Sequence, residues 1–290
     1  MPRVVIFVDQ PDWHSRRLKA AFAARGADTI VTSLRECHFR IGGGAPAVAV
    51  PGLDGALPDA VLVKTIAGGS FEQVTLRLSI LHALDAMGVP VINTARAIER
   101  CVDKSMTSFL LARAGIPTPP TLVAESDRLA ERLLAAAPGE RVLKPLFGSR
   151  GRGLARLAPG TPLPPAEPYA GVRYLQDYID RAPAWHDYRV LVVGREPVAA
   201  MIRHGKSWIT NVGNGARCEA VAAEGRLGEL ALAAAAAVGA DYAGIDLIET
   251  RGGEFLVLEA NSMPAWKGLQ GVSAHDIAAR IADHVLARAA

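Results

Sequence analysis

Three short apolar runs, "RVVIFV", "DAVLVK" and "VPVIN", recur through the first hundred residues, each separated from the next by enough chain for a helix. Strands that are apolar at every position are buried on both faces, and a parallel sheet covered by crossover helices buries them in that way. "DWHSRRLKAAFAARG" reads as a helix with Asp12 as its cap and Gly26 as its stop, and 70–88 as a second, amphipathic one. Residues 1–100 therefore predict a small α/β unit.

The rhythm then changes. "DKSMTSFLLARAGIPTPP" reads as a helix capped by Asp103, with Met106, Phe109, Leu110 and Ala114 on its apolar side and Gly115 after it. "TLVAE" and "ERVLKPL" read as strands flanking a helix near 127–137, and the five prolines of 157–168 mark a surface loop. This second unit spans 101–180. The third, 181–290, reads as mostly antiparallel: "RYLQDYI" at its leading edge, then "HDYRVLVVG" and "EPVAAMIRH", an alanine-rich helix, a hairpin, and a closing helix from about 273 to 289.

No apolar stretch approaches the ~18 residues needed to cross a membrane, and no signal sequence opens the chain. Cys37, Cys101 and Cys218 lie far apart with no CxxC, which points to a reducing, cytoplasmic setting and away from zinc or a disulfide frame. The net charge of +3 comes without a Lys/Arg run, so nucleic acid is not an expected partner. The seven histidines show no metal spacing. Lysine is scarce, six of the 32 basic residues, so each lysine that remains is a candidate for a compact, point-like charge.

The hairpin "GIDLIETRGGEFLVLEAN" carries the most chemistry. A two-residue Gly252-Gly253 turn would pair Arg251 with Glu254 and set Asp246 opposite Glu259, with Asn261 on the same face. Two carboxylates across a ladder, roughly 5 Å apart, repel by about 3 kcal/mol at an effective dielectric near 20. An arginine, a protonated carboxyl or a metal must offset them. Asn261 adds a third oxygen, and an all-oxygen set suits Mg²⁺ or Mn²⁺ shared with phosphates. In "LKPLFGSRGRG", Lys144 ends a strand ahead of Gly148, Gly151 and Gly153; a P-loop has the reverse order. A lysine on a rigid strand facing a flexible flap suits an anion that the flap closes over, the plain alternative being a turn. Lys104, in the first turn of a helix, is either a second anion contact or a solvated side chain.

Taken together, "DK…LLARAGIPTP", "VLKPLFGSRGRG", "LQDYI", "DYRVLVVG", "GIDLIE" and "LEANSMP" resemble the ATP-grasp superfamily and, within it, the RimK-like amino-acid ligases. The resemblance implies an ATP-grasp fold: an N-terminal preATP-grasp parallel-sheet domain, a small central α+β lid domain and a C-terminal antiparallel-sheet domain. It implies ATP and two Mg²⁺ or Mn²⁺ ions, and amide formation through an acylphosphate. Lys104 and Lys144 would hold phosphates beneath a lid containing Gly148, Ser149, Gly151 and Gly153. Gln176, Asp177, Tyr178 and Ile179 would form the adenine hinge, largely through backbone groups. Asp187 would lie near the ribose and Arg189 near the phosphates. Arg203 and Asn211 would position the transferred phosphate and the acyl substrate, with Lys144 beside them in catalysis, and Asp246, Glu259 and Asn261 would bind the metal.

Members of this family add glutamate to protein C-termini, to deazaflavin cofactors or to tetrahydromethanopterin-type carriers. The stretch before and after Asp103 is most similar to the cofactor-modifying group, which implies L-glutamate and a small pterin-like acceptor as substrates and allows a homo-oligomer. Tyramine– or tyrosine–glutamate ligation for a furan carrier is the enzymatic alternative, and an ATP-binding regulatory module without turnover the non-enzymatic one. "NSMPAWKG" departs from the family's N-x-x-P-G at the acceptor side. There Trp266 is either a packed side chain or an aromatic platform, with Lys267 beside it. Trp13 and His14 read as helix capping and packing ahead of substrate contact.

Overall fold

A computed structural model describes residues 1–42, 47–148, 151–181 and 183–289. Strands β1 (Arg3–Phe7), β2 (Asp28–Thr32), β5 (Ala60–Val63) and β6 (Val91–Ile92) form a parallel sheet in the order β2-β1-β5-β6. Val4 to Phe7 and all of β5 are fully buried, as unbroken apolar runs require. Helix α1 (Trp13–Ala23) starts at Asp12, whose carboxylate accepts from the Ser15 N–H while the Ser15 hydroxyl accepts from Asp12 N–H. It covers one face of the sheet and α2 (Phe71–Ala86) the other. A short antiparallel pair, β3 (His38–Phe39) and β4 (Val48–Ala49), flanks them.

After α3 (Ala95–Val102) and α4 (Lys104–Arg113), strands β7 (Thr121–Ala124), β8 (Arg141–Lys144), β9 (Ala155–Leu157) and β10 (Arg173–Asp177) form an antiparallel sheet, β7-β10-β8-β9, backed by α5 (Asp127–Ala135). A five-stranded antiparallel sheet, β13-β12-β11-β14-β15, is built from β11 (His186–Val193), β12 (Glu196–His204), β13 (Arg217–Val221), β14 (Tyr242–Glu249) and β15 (Phe255–Asn261). Helix α6 (Gly225–Val238) and α4 cover one face of it. Short α7 (Lys267–Gln270) and α8 (Ile277–Ala289) cover the other, where one core also takes in β1, β5 and α1. The parallel and the large antiparallel sheets are thus joined by a shared apolar core.

Several expectations change. The strand "RYLQDYI" is β10 and belongs to the central sheet, because it pairs with β7 and β8. On α4 the buried face is Lys104, Thr107, Ser108, Leu110 and Leu111, while Met106 and Phe109 are exposed. Its polar residues are buried because they are partnered: Thr107 Oγ1 donates to Arg100 O at 2.7 Å, and Ser108 Oγ and Tyr174 Oη share a hydrogen bond of 2.7 Å. The closing helix starts at Ile277, four residues later than expected.

The hairpin turn is also longer than two residues. Thr250 N–H donates to Glu254 O, leaving Arg251, Gly252 and Gly253 in the loop and shifting the register by one. A bulge between the Asp246 and Leu247 rungs, at Leu258, shifts it back, so Asp246 does face Glu259.

Candidate functional site

A cavity of about 690 Å³ opens between the three sheets. It is lined by the segments that follow β1 and β5, by β8 and β10, by β11, β12, β14 and β15, and by the loops after β8, β12 and β15. Its size suits a small-molecule ligand. Of the described residues that the resemblance implies for ATP, metal or catalysis, all line it except Gly153. Gly153 lies against Pro145, where an added Cβ would stand 2.8 Å from the ring, and Ser149 lies outside the described residues.

On the sheet wall, Asp246 and Glu259 are rung partners and Asn261 pairs with Gly244. Asp246 is buried, and its offset comes from arginine. Arg189, its rung partner on β11, donates through Nε to Oδ1 at 2.7 Å and through Nη2 to Oδ2 at 2.6 Å. Arg203 Nη2 lies 3.1 Å from Oδ1. Burial pushes the Asp246 carboxyl up, and the two guanidiniums more than reverse that, leaving it below the usual carboxylate range. Of the three offsets, guanidinium is the one that Asp246 has. Arg203 also forms a bidentate pair with buried Asp187, at 2.7 and 2.5 Å, so Asp187 braces Arg203 while lining the cavity. Burial works against the Arg203 charge, but Asp246 and Asp187 outweigh it and raise the pKa of the guanidinium.

The oxygens still fit Mg²⁺ or Mn²⁺. Glu259 forms no ion pair among the described residues, and Asn261 donates only its Nδ2, to Gly244 O at 3.4 Å, leaving Oδ1. Among the described residues there is no cluster of three His, Cys, Asp or Glu. An ion here would take two carboxylates and an amide oxygen from the protein and further oxygens from its ligand, as a phosphate-bound Mg²⁺ does.

Opposite lie the lysines. Lys144 Nζ donates to Gln176 Oε1 at 2.5 Å, and burial lowers its pKa to about 8. Lys104 is tied to the flap, donating to Gly148 O at 2.9 Å and more weakly to Leu146 O. Gly151 has φ +68°, and a Cβ there would stand 2.5 Å from Asn211 Oδ1. Only glycine lets the flap approach that side chain.

At the hinge, Asp177 N–H donates to Pro120 O and Tyr178 N–H to Glu140 O, so two of the backbone donors expected to read adenine are already committed. Among the described residues nothing accepts from Ile179 N–H. The Tyr178 ring packs under the Arg156 guanidinium at 3.9 Å and edge-on to Trp208.

A further group of residues was not foreseen in this role. Lys64, directly after β5, is 2 % exposed; its Nζ donates to Pro264 O at 2.8 Å, and burial lowers its pKa to about 8. The signal was there: "DAVLVK" ends in lysine as "RVLK" does. Lys64, Lys104, Lys144 and Lys267 line the cavity, four of the six lysines. His14 Nε2 lies 3.2 Å from the Trp266 N–H, which can only donate; the ring proton is therefore on Nδ1, facing Asp12 Oδ2 at 2.8 Å, and the ring is neutral. Burial lowers its pKa. Trp266 is fully buried, edge-on to Trp13 and His14 at 5.0 and 4.9 Å, so it packs and is no platform.

No helix among the described residues is long and apolar enough to cross a membrane. Residues 2–98 match the RimK PreATP-grasp domain and residues 101–285 the RimK-like ATP-grasp domain. A tetrahydromethanopterin:alpha-L-glutamate ligase of Methanosarcina acetivorans is 31% identical over 91% of this chain and 92% of its own length. One from Methanococcus maripaludis is 38% identical over 68% and 70%. Among solved structures, ATP-grasp ligase PsnB with its minimal precursor has a TM-score of 0.76 at 22% identity, covering 99% of both chains. A RimK domain ATP-grasp protein of Sphaerobacter thermophilus has a TM-score of 0.68 at 23% identity, covering 98% of this chain and 99% of its own.

Proposed function

The chain belongs to the RimK-like ATP-grasp family of carbon–nitrogen ligases, and on that premise we propose that it joins L-glutamate through its amino group to a carboxyl group of a pterin-type one-carbon carrier, using ATP. The single observation that carries the ligase chemistry is the meeting of the Asp246–Glu259 rung, Arg203 and Lys144 in one cavity. The choice of glutamate and of a pterin acceptor is supported by the relatives that share about a third of the sequence.

In this reading the three units, 1–100, 101–180 and 181–290, supply respectively the amino-acid side of the cavity, the lid and hinge, and the wall at which phosphate is transferred. Lys104 and Lys144 hold ATP phosphates beneath the flap, and Gln176 to Ile179 hold the adenine. Asp246, Glu259 and Asn261 would hold Mg²⁺ or Mn²⁺, one ion or two, which when bound neutralises phosphate charge. The acceptor carboxylate attacks the γ-phosphorus, ADP leaves, and the glutamate amine then displaces phosphate from the acylphosphate. Arg203, held in orientation by Asp187, keeps its guanidinium aimed into the cavity, where it can offset charge on the transferred phosphate. Asn211, against the flap at Gly151, lies where closure would press it onto the acyl group. The three free cysteines fit a cytoplasmic setting.

The test is ADP release with ATP, Mg²⁺ and glutamate against a panel of acceptors: a pterin bearing a carboxylate, a peptide with a free C-terminus, and tyramine or tyrosine as amine in place of the glutamate amine. Pterin-dependent ADP with a product heavier by one glutamyl residue is the expected result. ADP with tyramine or peptide alone would overturn the acceptor, and tight ATP binding without turnover on any of them would overturn the ligase.

A further inference from the structure

In the parallel sheet β1 leads through α1 to β2 on one side, and β5 leads through α2 to β6 on the other. Between the carboxyl ends of β1 and β5 the winding therefore reverses, and open α/β sheets bind ligands in the crevice at such a point. Lys64 stands there. Its backbone N–H donates to Phe7 O at 2.8 Å, and the next residue, Thr65, accepts through Oγ1 from Asp9 N–H at 2.8 Å, which closes the floor of the crevice.

An ammonium has three donors, and among the described residues Lys64 Nζ meets one acceptor, Pro264 O. No carboxylate lies within ion-pair distance of it among the described residues. Asp12, the acidic group whose charge reaches it, is committed on both oxygens, to Ser15 N–H and His14 Nδ1. His14 is committed on both nitrogens. A buried charge left so incompletely partnered lowers stability, and the deficit is consistent with an anion that arrives from the cavity.

Lys64 stands on the side of the cavity formed by Asp12, His14 and the Pro264 loop, whose exposed Lys267 also lines it, whereas Lys144 is bonded to Gln176 and Lys104 to the flap at Gly148. Lys64 reaches the sheet wall through Pro264, which packs on Gly244, the rung partner of Asn261. On the ligase reading it therefore stands at the acyl-transfer side of the cavity, with partners different from those of Lys104 and Lys144.

We propose that Lys64, with Lys267 at the rim, receives the carboxylates of the incoming amino acid and so selects an acidic one; this rests on the ligase reading above. Glutamate offers two carboxylates to two cations, Lys64 and Lys267, which line the same cavity as neutral His14. Lys64 is a specificity-determining contact, and the Asp12–His14–Trp266 chain positions the loop that carries Pro264 and Lys267.

The experiment is Lys64→Met in the full chain, with ADP release measured while glutamate, ATP and the carrier are varied in turn. Loss of a charge-assisted hydrogen bond predicts a KM for glutamate at least about tenfold higher, with the KM for ATP within about twofold. Preference for glutamate over glutamine falls by a similar factor. Lys267→Gln, more exposed, should give about a threefold effect. The thermal midpoint of Lys64→Met should be equal to or above that of the wild type, since a desolvated charge has gone. An unchanged glutamate KM would overturn the inference. A rise confined to the carrier would overturn it by reassigning the subsite to a carrier carboxylate. A lower midpoint with every KM raised would overturn it by making Lys64 a brace for the Pro264 loop. Wild-type protein that releases no ADP with any amino acid overturns the ligase reading itself, and is distinguished by being read before any variant.

Discussion

Replacing Lys144 by methionine should leave the protein at least as stable at neutral pH while removing its hold on ATP. Burial lowers the pKa of this lysine from 10.5 to about 8, and a shift of that size corresponds to about 3 kcal/mol against keeping the ammonium charged in the folded state. Methionine removes that cost at similar length. Against it stands the hydrogen bond to Gln176 Oε1, whose loss costs about 1–3 kcal/mol for a charged donor, so the net gain at pH 7 is between zero and about 2 kcal/mol.

The pH dependence isolates the charge. Between pH 8 and 10.5 the unfolded lysine still holds its proton while the folded one has released it, so wild-type stability rises with pH through that window and is lowest below it. The methionine variant lacks this rise. Urea unfolding of both proteins at pH 7 and pH 10 should show the variant's advantage shrinking by about 2–3 kcal/mol at the higher pH. A difference that stays constant with pH would refute the desolvation argument. In parallel the KM for ATP should rise about ten- to a hundredfold, one charge-assisted contact having been lost; an unchanged KM would remove Lys144 from the nucleotide site.

The metal wall separates into a carboxylate that is tied and one that is not. Glu259→Gln should cut Mg²⁺-dependent turnover by about a hundredfold and leave the thermal midpoint within about 2 °C, because no ion pair is lost. Asp246→Asn should also abolish turnover, but it weakens the support of Arg189 and Arg203 and should cost about 3 kcal/mol in urea unfolding. Gly151→Ala, which forces a Cβ toward Asn211 and Ile209 at φ +68°, should raise the KM for ATP about tenfold in ADP-release assays. Gly160→Ala, at φ +77° with open space around it, should leave that KM unchanged and serves as its control.

What the sequence made legible is what depends on local period. A strand fixes which side chains share a face, so Asp246, Glu259 and Asn261 could be brought together from the hairpin alone. The pairing held although the turn did not, since the three-residue loop moved the register one way and the bulge at Leu258 moved it back. Nothing in a one-dimensional pattern marks such a bulge. The arginines were illegible for a different reason: Arg189 faces Asp246 only because β11 pairs with β14 across some fifty residues of intervening chain, and Asp187 braces Arg203 through the neighbouring β11–β12 pairing. Those pairings are decided by which apolar faces α4, α6 and α8 cover, and the inverted face of α4 shows that apolar pattern alone misjudges even one helix when its buried polar groups find partners. The lysines fall between these cases. A lysine closing a buried apolar run is a visible contradiction, a charge placed where burial opposes it, and it occurs at Lys64 after Ala60–Val63 as it does at Lys144 after Val142 and Leu143. Burial opposes both charges, and an anion arriving in the cavity would offset that same cost. The strain on the ammonium and its attraction for substrate therefore have one origin, and a substitution that relieves the first at either position should forfeit the second.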